Sequence, residues 1–370
     1  MGTKARRWNT TTLSHRLGIT YPLIQAPMAG GFTSPGLVAA VTNAGGLGSF
    51  AAALLSPPEI RAGVEHIRRL TDQPFNVNLF VLDPPSPDPA EVERALELLR
   101  PIRDALGLPP GRPPARWCQD YREQLETLIE LRVRVTSFTF GLLDGAAIER
   151  LHRSGSIVLG TATNVAEARA WAENGADAVC AQGAEAGAHR GTFLGGLDEG
   201  LVGTLALVPQ VVDAVRLPVV AAGGIADGRG IAAALMLGAA GVQMGTVFLN
   251  CAETLIHAAH RSALRTASET DTRVTRAFSG RYARGIVNEF MQRLDARQQE
   301  VPAYPVQNAL TSEIRRAAAD ANRPEFMSLW AGQAVGLLAR RPAGQPAGEL
   351  MAALVNETES AIRRMHNPLG

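Results

Sequence analysis

Residues 182–193 read QGAEAGAHRGTF, directly after the apolar run AVCA of residues 178–181. An amide (Gln182), a carboxylate (Glu185), an imidazole (His189) and a guanidinium (Arg190) ride on a backbone otherwise made mostly of glycine and alanine. Such a stretch is either a mobile turn or a backbone that lies against something flat and charged. An imidazole, with an ordinary pKa of ~6.5, is matched to proton transfer near neutral pH. Arg190 either adds positive field beside it or is a surface arginine. Glu185 either orients His189 or is a surface carboxylate.

Two glycine-bearing stretches suggest a phosphate site. Gly223 and Gly224 close the run PVVAAGG (218–224), and Gln243, Met244, Gly245 and Thr246 lie within GVQMGTVF (241–248). Glycine lets backbone N–H groups approach phosphate oxygens with no Cβ in the way, and a helix N-terminus behind the loop adds favourable field. Tight turns alone are the alternative. Asn76 and Asn78 alternate with apolar residues in FNVNLFV (75–81), so both face one side. A buried, unpaired amide costs about 1–3 kcal/mol, so Asn78 and Gln182 require either a ligand or neighbouring backbone. A flat ring rimmed with carbonyl and N–H groups would use donor and acceptor together. Phosphate at one end and amides for a ring at the other suggest a mononucleotide, and flavin mononucleotide (FMN) suits the span.

Other chemistries are excluded. Lys4 is the only lysine of the 370 residues and lies in the leading tail, which leaves no residue for Schiff-base catalysis or a Walker-type phosphate loop. Cys118, Cys180 and Cys251 are far apart with no CxxC, so neither a disulfide framework nor a zinc site is indicated. His257 and His260 are three apart, but no carboxylate completes a metal set, and no metal is expected. A net charge of +1 gives no long-range attraction to nucleic acid or to a membrane surface. No apolar run approaches the ~20 residues of a membrane span. A secretory signal is not evident, and a reducing cytoplasm is the expected location.

The elements that must position these residues repeat. Apolar runs at 22–28, 47–53, 75–81, 135–141, 157–163, 177–183, 218–224 and 241–248 read as strands covered on both faces. Helical patterns such as 165–174 and 230–238 lie between them, and several end in the small-residue stops expected of left-handed helix caps. Eight βα units in about 250 residues predict an α/β fold, a (β/α)8 TIM barrel, ahead of a doubly wound sheet that would also alternate. The third unit carries a Pro-rich excursion (82–117) that lengthens a loop without adding a strand. The expected organisation is an FMN-binding barrel over 1–250 and a helical substrate or lid domain over 251–334 covering the barrel mouth. The segment 335–370 then returns to the barrel. Helical periodicity dominates 251–334, with little strand character.

The stretches APMAGGFTSPGLVAAVTNAGGLGSF (26–50), PFNVNLF (74–80), SFTFG (137–141), QGAEAGAHRG (182–191), AAGGIADGRG (221–230), VQMGT (242–246), SGRYARGIVNEF (279–290) and SLWAGQ (328–333) together resemble class I nitronate monooxygenases, formerly called 2-nitropropane dioxygenases. The resemblance runs over nearly the whole chain. It implies a TIM barrel with bound FMN and a helical lid. It also implies FMN contacts at Asn78, Gln182, Gly187, Gly224 and Gln243 to Thr246, with Ala26, Pro27 and Met28 beneath the ring and Gly187 letting backbone pass over the cofactor. His189 is the implied catalytic residue. The implied reaction takes an anionic alkyl nitronate and O2 to a carbonyl compound and nitrite. The family usually reads AGGHRG, and here Ala188 replaces the second glycine, so a left-handed backbone at that position would be strained.

Reductases on the same scaffold, either an FMN-dependent NAD(P)H:quinone reductase or an enoyl-acyl carrier protein reductase II, are the alternative. Barrels of the inosine-monophosphate dehydrogenase type need a nucleophilic loop cysteine that this chain does not place. A non-catalytic FMN carrier is a further reading. A homodimer is compatible with the family. Among the remaining residues, His15, His66, His152 and His366 read as solvated, and Cys180 as an inert core thiol. Trp330 and Tyr304 read as either cavity wall or core, and Ser137 and Thr139 as barrel filling.

Overall fold

A computed structural model describes residues 7–366, so Lys4 and the final four residues lie outside it. The eight expected strands form one parallel sheet: β1 (Leu23–Gln25), β2 (Ser49–Ala51), β3 (Asn76–Phe80), β4 (Val135–Thr139), β5 (Ile157–Ala162), β6 (Ala178–Gln182), β8 (Val219–Ala222) and β9 (Gly241–Met244). A two-residue strand, β7 (Ala188–His189), lies between β6 and β8 in sequence but outside this sheet. The cylinder closes between β1 and the approach to β2. There Gln25 N donates to Leu47 O at 3.0 Å and Leu47 N donates to Leu23 O at 2.9 Å. This is the TIM barrel that the strand count predicts.

Successive residues of a strand face opposite sides, and both sides here are buried. Leu23, Val179 and Val219 join the core under the surrounding helices, whereas their neighbours Ile24, Cys180 and Val220 pack inside the cylinder. Leu13 and Leu17 of the helix Thr12–Leu17 belong to the interior cluster. The same helix approaches the amino ends of β9 and β6: Thr11 Oγ1 donates to Ala240 O at 2.7 Å, and Arg16 pairs with Asp177 at 2.8 Å. That end is plugged, which leaves the carboxyl end open to function. Gly45, Gly175 and Gly238, each at positive φ, end the helices before β2, β6 and β9 as the small-residue stops predict.

The covering layer departs from expectation in two ways. Residues 251–334 are not purely helical, because β10 (Thr272–Thr275) and β11 (Ala283–Ile286) pair antiparallel, and β11 pairs in turn with β7. These strands are short and mix exposed arginine with buried small residues, so no clear period-two apolar pattern announces them. The second core also takes in the excursion of the third unit. Val92, Leu98, Leu99 and Ile102 of the helix Pro89–Ala105 pack with Phe278, Phe290 and Phe326, and Arg103 donates to Pro109 O while pairing with Glu313. The long helix Ala347–His366 lies against the helices Gly228–Met236 and Pro35–Asn43 on the outside of the barrel.

Candidate active site

Polar side chains inside the barrel form a connected set below the open end. Asn76 Nδ2 donates to Ser49 Oγ at 3.1 Å and to Ser137 Oγ at 2.8 Å, and Asn78 Nδ2 donates to the Ser137 carbonyl at 3.1 Å. Ser137 is therefore an acceptor for two buried amides rather than mere filling, and Thr139 pairs with Thr161. Asn78 Oδ1 has no hydrogen-bond donor among the described residues, and Asn78 lines the cavity above.

That cavity, about 620 Å³, lies between the carboxyl ends of the strands and the covering layer. All thirteen residues expected at the site line it: Ala26, Pro27, Met28, Asn78, Gln182, Gly187, His189, Gly223, Gly224, Gln243, Met244, Gly245 and Thr246. Tyr304 and Trp330 also line it, and so act as cavity wall.

The loop after β6 is built from the far side. Gln182 Nε2 donates to the His189 carbonyl at 3.0 Å, and Gln182 Oε1 accepts from Gly191 N at 2.8 Å. Both ends of this amide thus brace the histidine loop, the neighbouring-backbone alternative left open for it beside a ring-holding role. Arg190 is neither a surface residue nor a field source at the cavity. It is 2% exposed and donates to the carbonyls of Gln182, Gly183 and Gly200, folding the loop back on itself. Burial lowers its pKa to about 10, still far above neutrality. Glu185 does not orient His189: its carboxylate accepts from Thr204 N and Thr204 Oγ1 at the start of the helix Thr204–Ala214. Gly187 has a reason within the protein itself. A Cβ there would lie 2.5 Å from Gly332 N and 2.6 Å from Ala331 C, so the glycine admits the 331–332 backbone. Ala188 does adopt the left-handed backbone, at φ 59°.

Sequence reasoning missed Glu167, which is fully buried and accepts from Thr163, Phe193 N and Leu194 N to anchor the far end of the loop. Its signal was the cap pattern N-V-A-E at 164–167.

His189 sits in β7 opposite Ala283 of β11. Its ring lies 5.4 Å from Phe140, 5.6 Å from Trp330 and 5.7 Å from Tyr304, centroid to centroid. Its Nε2 is 2.8 Å from Ser279 Oγ, and Nδ1 has no protein partner among the described residues. By surface area His189 is half-buried, and it lines the cavity. Burial first, then the positive charges of Arg281 and Arg315, lower its pKa to about 3, so the imidazole is neutral at pH 7. Neither arginine pairs with a carboxylate among the described residues. The Arg281 guanidinium lies 4.0 Å from the Phe140 ring centroid and donates to the carbonyls of Arg190 and Thr192; Arg315 donates to Asn308. The positive field that was one reading of Arg190 comes from Arg281 and Arg315; Arg281 lies in the stretch 279–290 that carries the resemblance, but neither was singled out by its sequence context. Phe140, at φ 80°, is a bulky residue in a backbone region that side chains avoid, and its ring lies 4.1 Å from that of Phe80.

His257 caps the helix Ala258–Thr266 by accepting from Ala259 N, and buried His260 donates Nε2–H to the Trp330 carbonyl at 3.1 Å. Both thus carry bonds within the protein, and both also line the cavity. Cys180 is buried in β6, and burial pushes its thiol up to about 12.

The residues present fit an FMN-like group. The backbone N–H groups of Gly224, Gly245 and Thr246 have no acceptor among the described residues. A Cβ on Gly245 would meet only Ala26 Cβ, at 3.6 Å, so the protein itself does not require glycine there. The helix-dipole part of the expectation is revised. The helix after β9, Thr246–Leu249, spans four residues, and the one after β8 begins with Gly228 N bonded to Glu357 and Asp227 as its cap. What the structure presents there is loop N–H groups rather than the end of a long helix.

A family model described as nitronate monooxygenase matches residues 11–357. Curated relatives named probable nitronate monooxygenase, from Staphylococcus aureus strains JH9 and MRSA252, are 42% identical over 357 residues, covering 96% of this chain and 99% of theirs. Among solved structures, a nitroalkane oxidase from Streptomyces ansochromogenes is 40% identical with a TM-score of 0.87, covering 95% of this chain and 99% of that one. FabK from Thermotoga maritima is 29% identical with a TM-score of 0.76, covering 97% and 99%.

Proposed function

The chain belongs to the nitronate monooxygenase family, and from that premise we propose that it binds FMN and oxidises alkyl nitronates with O2 to a carbonyl compound and nitrite. The observation that carries this reading is one cavity lined by glycine-bearing loops and a neutral histidine, with two positive charges acting on that histidine: Arg315 of the cavity lining and Arg281 outside it, neither paired with a carboxylate among the described residues. Gly224, Gly245 and Thr246 would hold the phosphate, and Asn78 Oδ1 would accept from the ring. FMN, when bound, supplies the electron acceptor. Ala26, Pro27, Met28, Gly187, Gly223, Gln243 and Met244 would line the ring, with Gln182 acting mainly through the loop it braces.

The field of Arg281 and Arg315 favours an anion over a neutral molecule, which supports nitronates ahead of their neutral nitroalkane parents. Next to a bound anion the imidazole pKa rises, because an opposite charge nearby favours the protonated form. His189 then donates to the nitronate oxygens; from a neutral nitroalkane it takes the α-proton instead. Phe80, Phe140, Tyr304 and Trp330 exclude water around it. A barrel over 1–250 with a covering domain from 251 to 334, a cytoplasmic location and a homodimer belong to the same proposal.

The test is nitrite release in air from ethylnitronate or propionate 3-nitronate by the FMN-loaded protein. An FMN-loaded protein that leaves both untouched, and whose flavin is bleached by NADH without oxygen, would be a reductase instead.

A further inference from the structure

We infer that Ser279 is a positioning residue that fixes the tautomer of His189, keeping the proton on Nε2 and making Nδ1 the atom where a proton is taken up or released. The inference deepens the reading of His189 given above and rests on it for its catalytic consequence. The geometry on which it stands is independent of that reading.

Ser279 is 1% exposed and has three polar neighbours. Its Oγ is 2.8 Å from His189 Nε2, donates to the Arg281 carbonyl at 3.1 Å, and accepts from Arg281 N at 3.4 Å. A serine hydroxyl has one hydrogen and two lone pairs. If Nε2 carries the imidazole hydrogen, all three contacts form together: Oγ accepts from Nε2–H and Arg281 N–H and donates to the Arg281 carbonyl. If Nδ1 carries it, Oγ must give its only hydrogen to Nε2, and the Arg281 carbonyl loses that donor. A neutral ring is required for this choice to exist, and the buried, arginine-flanked setting keeps it neutral. The arrangement that satisfies every group is the Nε2–H tautomer.

The consequence is directional. Nδ1, with no protein partner among the described residues, presents a lone pair. When a neutral nitroalkane is the substrate, the C–H pair becomes the C=N bond of the nitronate, a nitro oxygen takes the negative charge, and the proton moves to Nδ1. When an anionic nitronate binds, a solvent proton taken up with it resides on Nδ1, and Nδ1–H donates a hydrogen bond to a nitronate oxygen. In both cases Nε2–H stays on Ser279, so the ring does not need to rotate between states. Ser279 touches no reacting atom in this scheme and acts only through His189.

The experiment uses FMN-loaded protein labelled with 15N-histidine, with His189 assigned by its disappearance in His189→Asn. The expected result is a bare Nδ1 and a protonated Nε2 in wild type and in Ser279→Thr. Ser279→Ala should show a mixture of tautomers, with kcat/KM for ethylnitronate reduced about ten- to a hundred-fold and the pH profile altered, while Ser279→Thr restores both. A wild-type ring protonated at Nδ1, or Ser279→Ala with a single Nε2–H tautomer and unchanged kcat/KM, would overturn the assignment. Because the wild-type spectrum is read without turnover, a protein that does not oxidise nitronates would contradict the proposed function and leave the tautomer result standing.

Discussion

His189 and Ala283 are partners in adjacent antiparallel strands, so the histidine that barrel strand β6 delivers is held in place by the covering layer. The same strand puts Ala188 at φ 59°, a conformation that costs a non-glycine residue about 1 kcal/mol or more. Ala188→Gly is therefore expected to raise unfolding stability by about 0.5–1 kcal/mol, read from the urea midpoint. An unchanged or lower midpoint would show that contacts of the methyl group outweigh the backbone strain.

The glycines of the cavity separate into two kinds. Gly187→Ala places a Cβ 2.5 Å from Gly332 N, and is expected to destabilise the fold by about 1–3 kcal/mol. Gly245→Ala has room in the protein, with only Ala26 Cβ at 3.6 Å from the new Cβ, yet puts a methyl group into the proposed phosphate cradle. It should keep the wild-type melting temperature without FMN and lose at least about tenfold in FMN affinity, or about 1.4 kcal/mol. Fluorescence titration with FMN measures this, and wild-type affinity would move the phosphate elsewhere.

The pH dependence has a definite sign. Burial lowers the pKa of His189 to about 3 and of His260 to about 4, below the ordinary ~6.5 of the unfolded chain. Between those values the unfolded state binds more protons, so stability falls as pH drops below ~6.5, by up to about 1.4 kcal/mol per pH unit for each histidine. Urea unfolding at about pH 5 and about pH 7 checks it. Equal stabilities would mean that these rings are protonated in the folded protein.

The arginine field gives a prediction on binding. Arg315→Gln removes a cation that depresses the His189 pKa and has no carboxylate to pair with. KM for ethylnitronate is expected to rise about tenfold, equivalent to ~1.4 kcal/mol, with a much smaller change for neutral nitroethane. Equal changes for both substrates would show that Arg315 shapes the cavity rather than attracting charge.

The barrel was legible because its signal is repetitive: eight apolar runs with helical patterns between them, several ending in a small-residue stop, and all eight form strands. Gly224, Gly245 and His189 were legible because glycine and histidine at strand ends are unusual in a packed core. The roles of Arg190 and Glu185 were not, because a charged residue in a small-residue loop looks alike whether it bonds three carbonyls or faces solvent. Ser279, Arg281 and Arg315 lie some 90 to 126 residues after His189, and only folding brings them beside it. Strands β10 and β11 escaped because four residues with mixed burial carry too little periodicity to separate from a turn.

The most direct test is aerobic nitrite release from ethylnitronate by the FMN-loaded protein, compared with FMN-loaded His189→Asn. The account predicts nitrite and the carbonyl product in equal amounts from wild type, and a rate at least about a hundred-fold lower from the variant, which keeps its flavin. Wild-type protein that carries FMN and releases no nitrite, or a variant as fast as wild type, would contradict it.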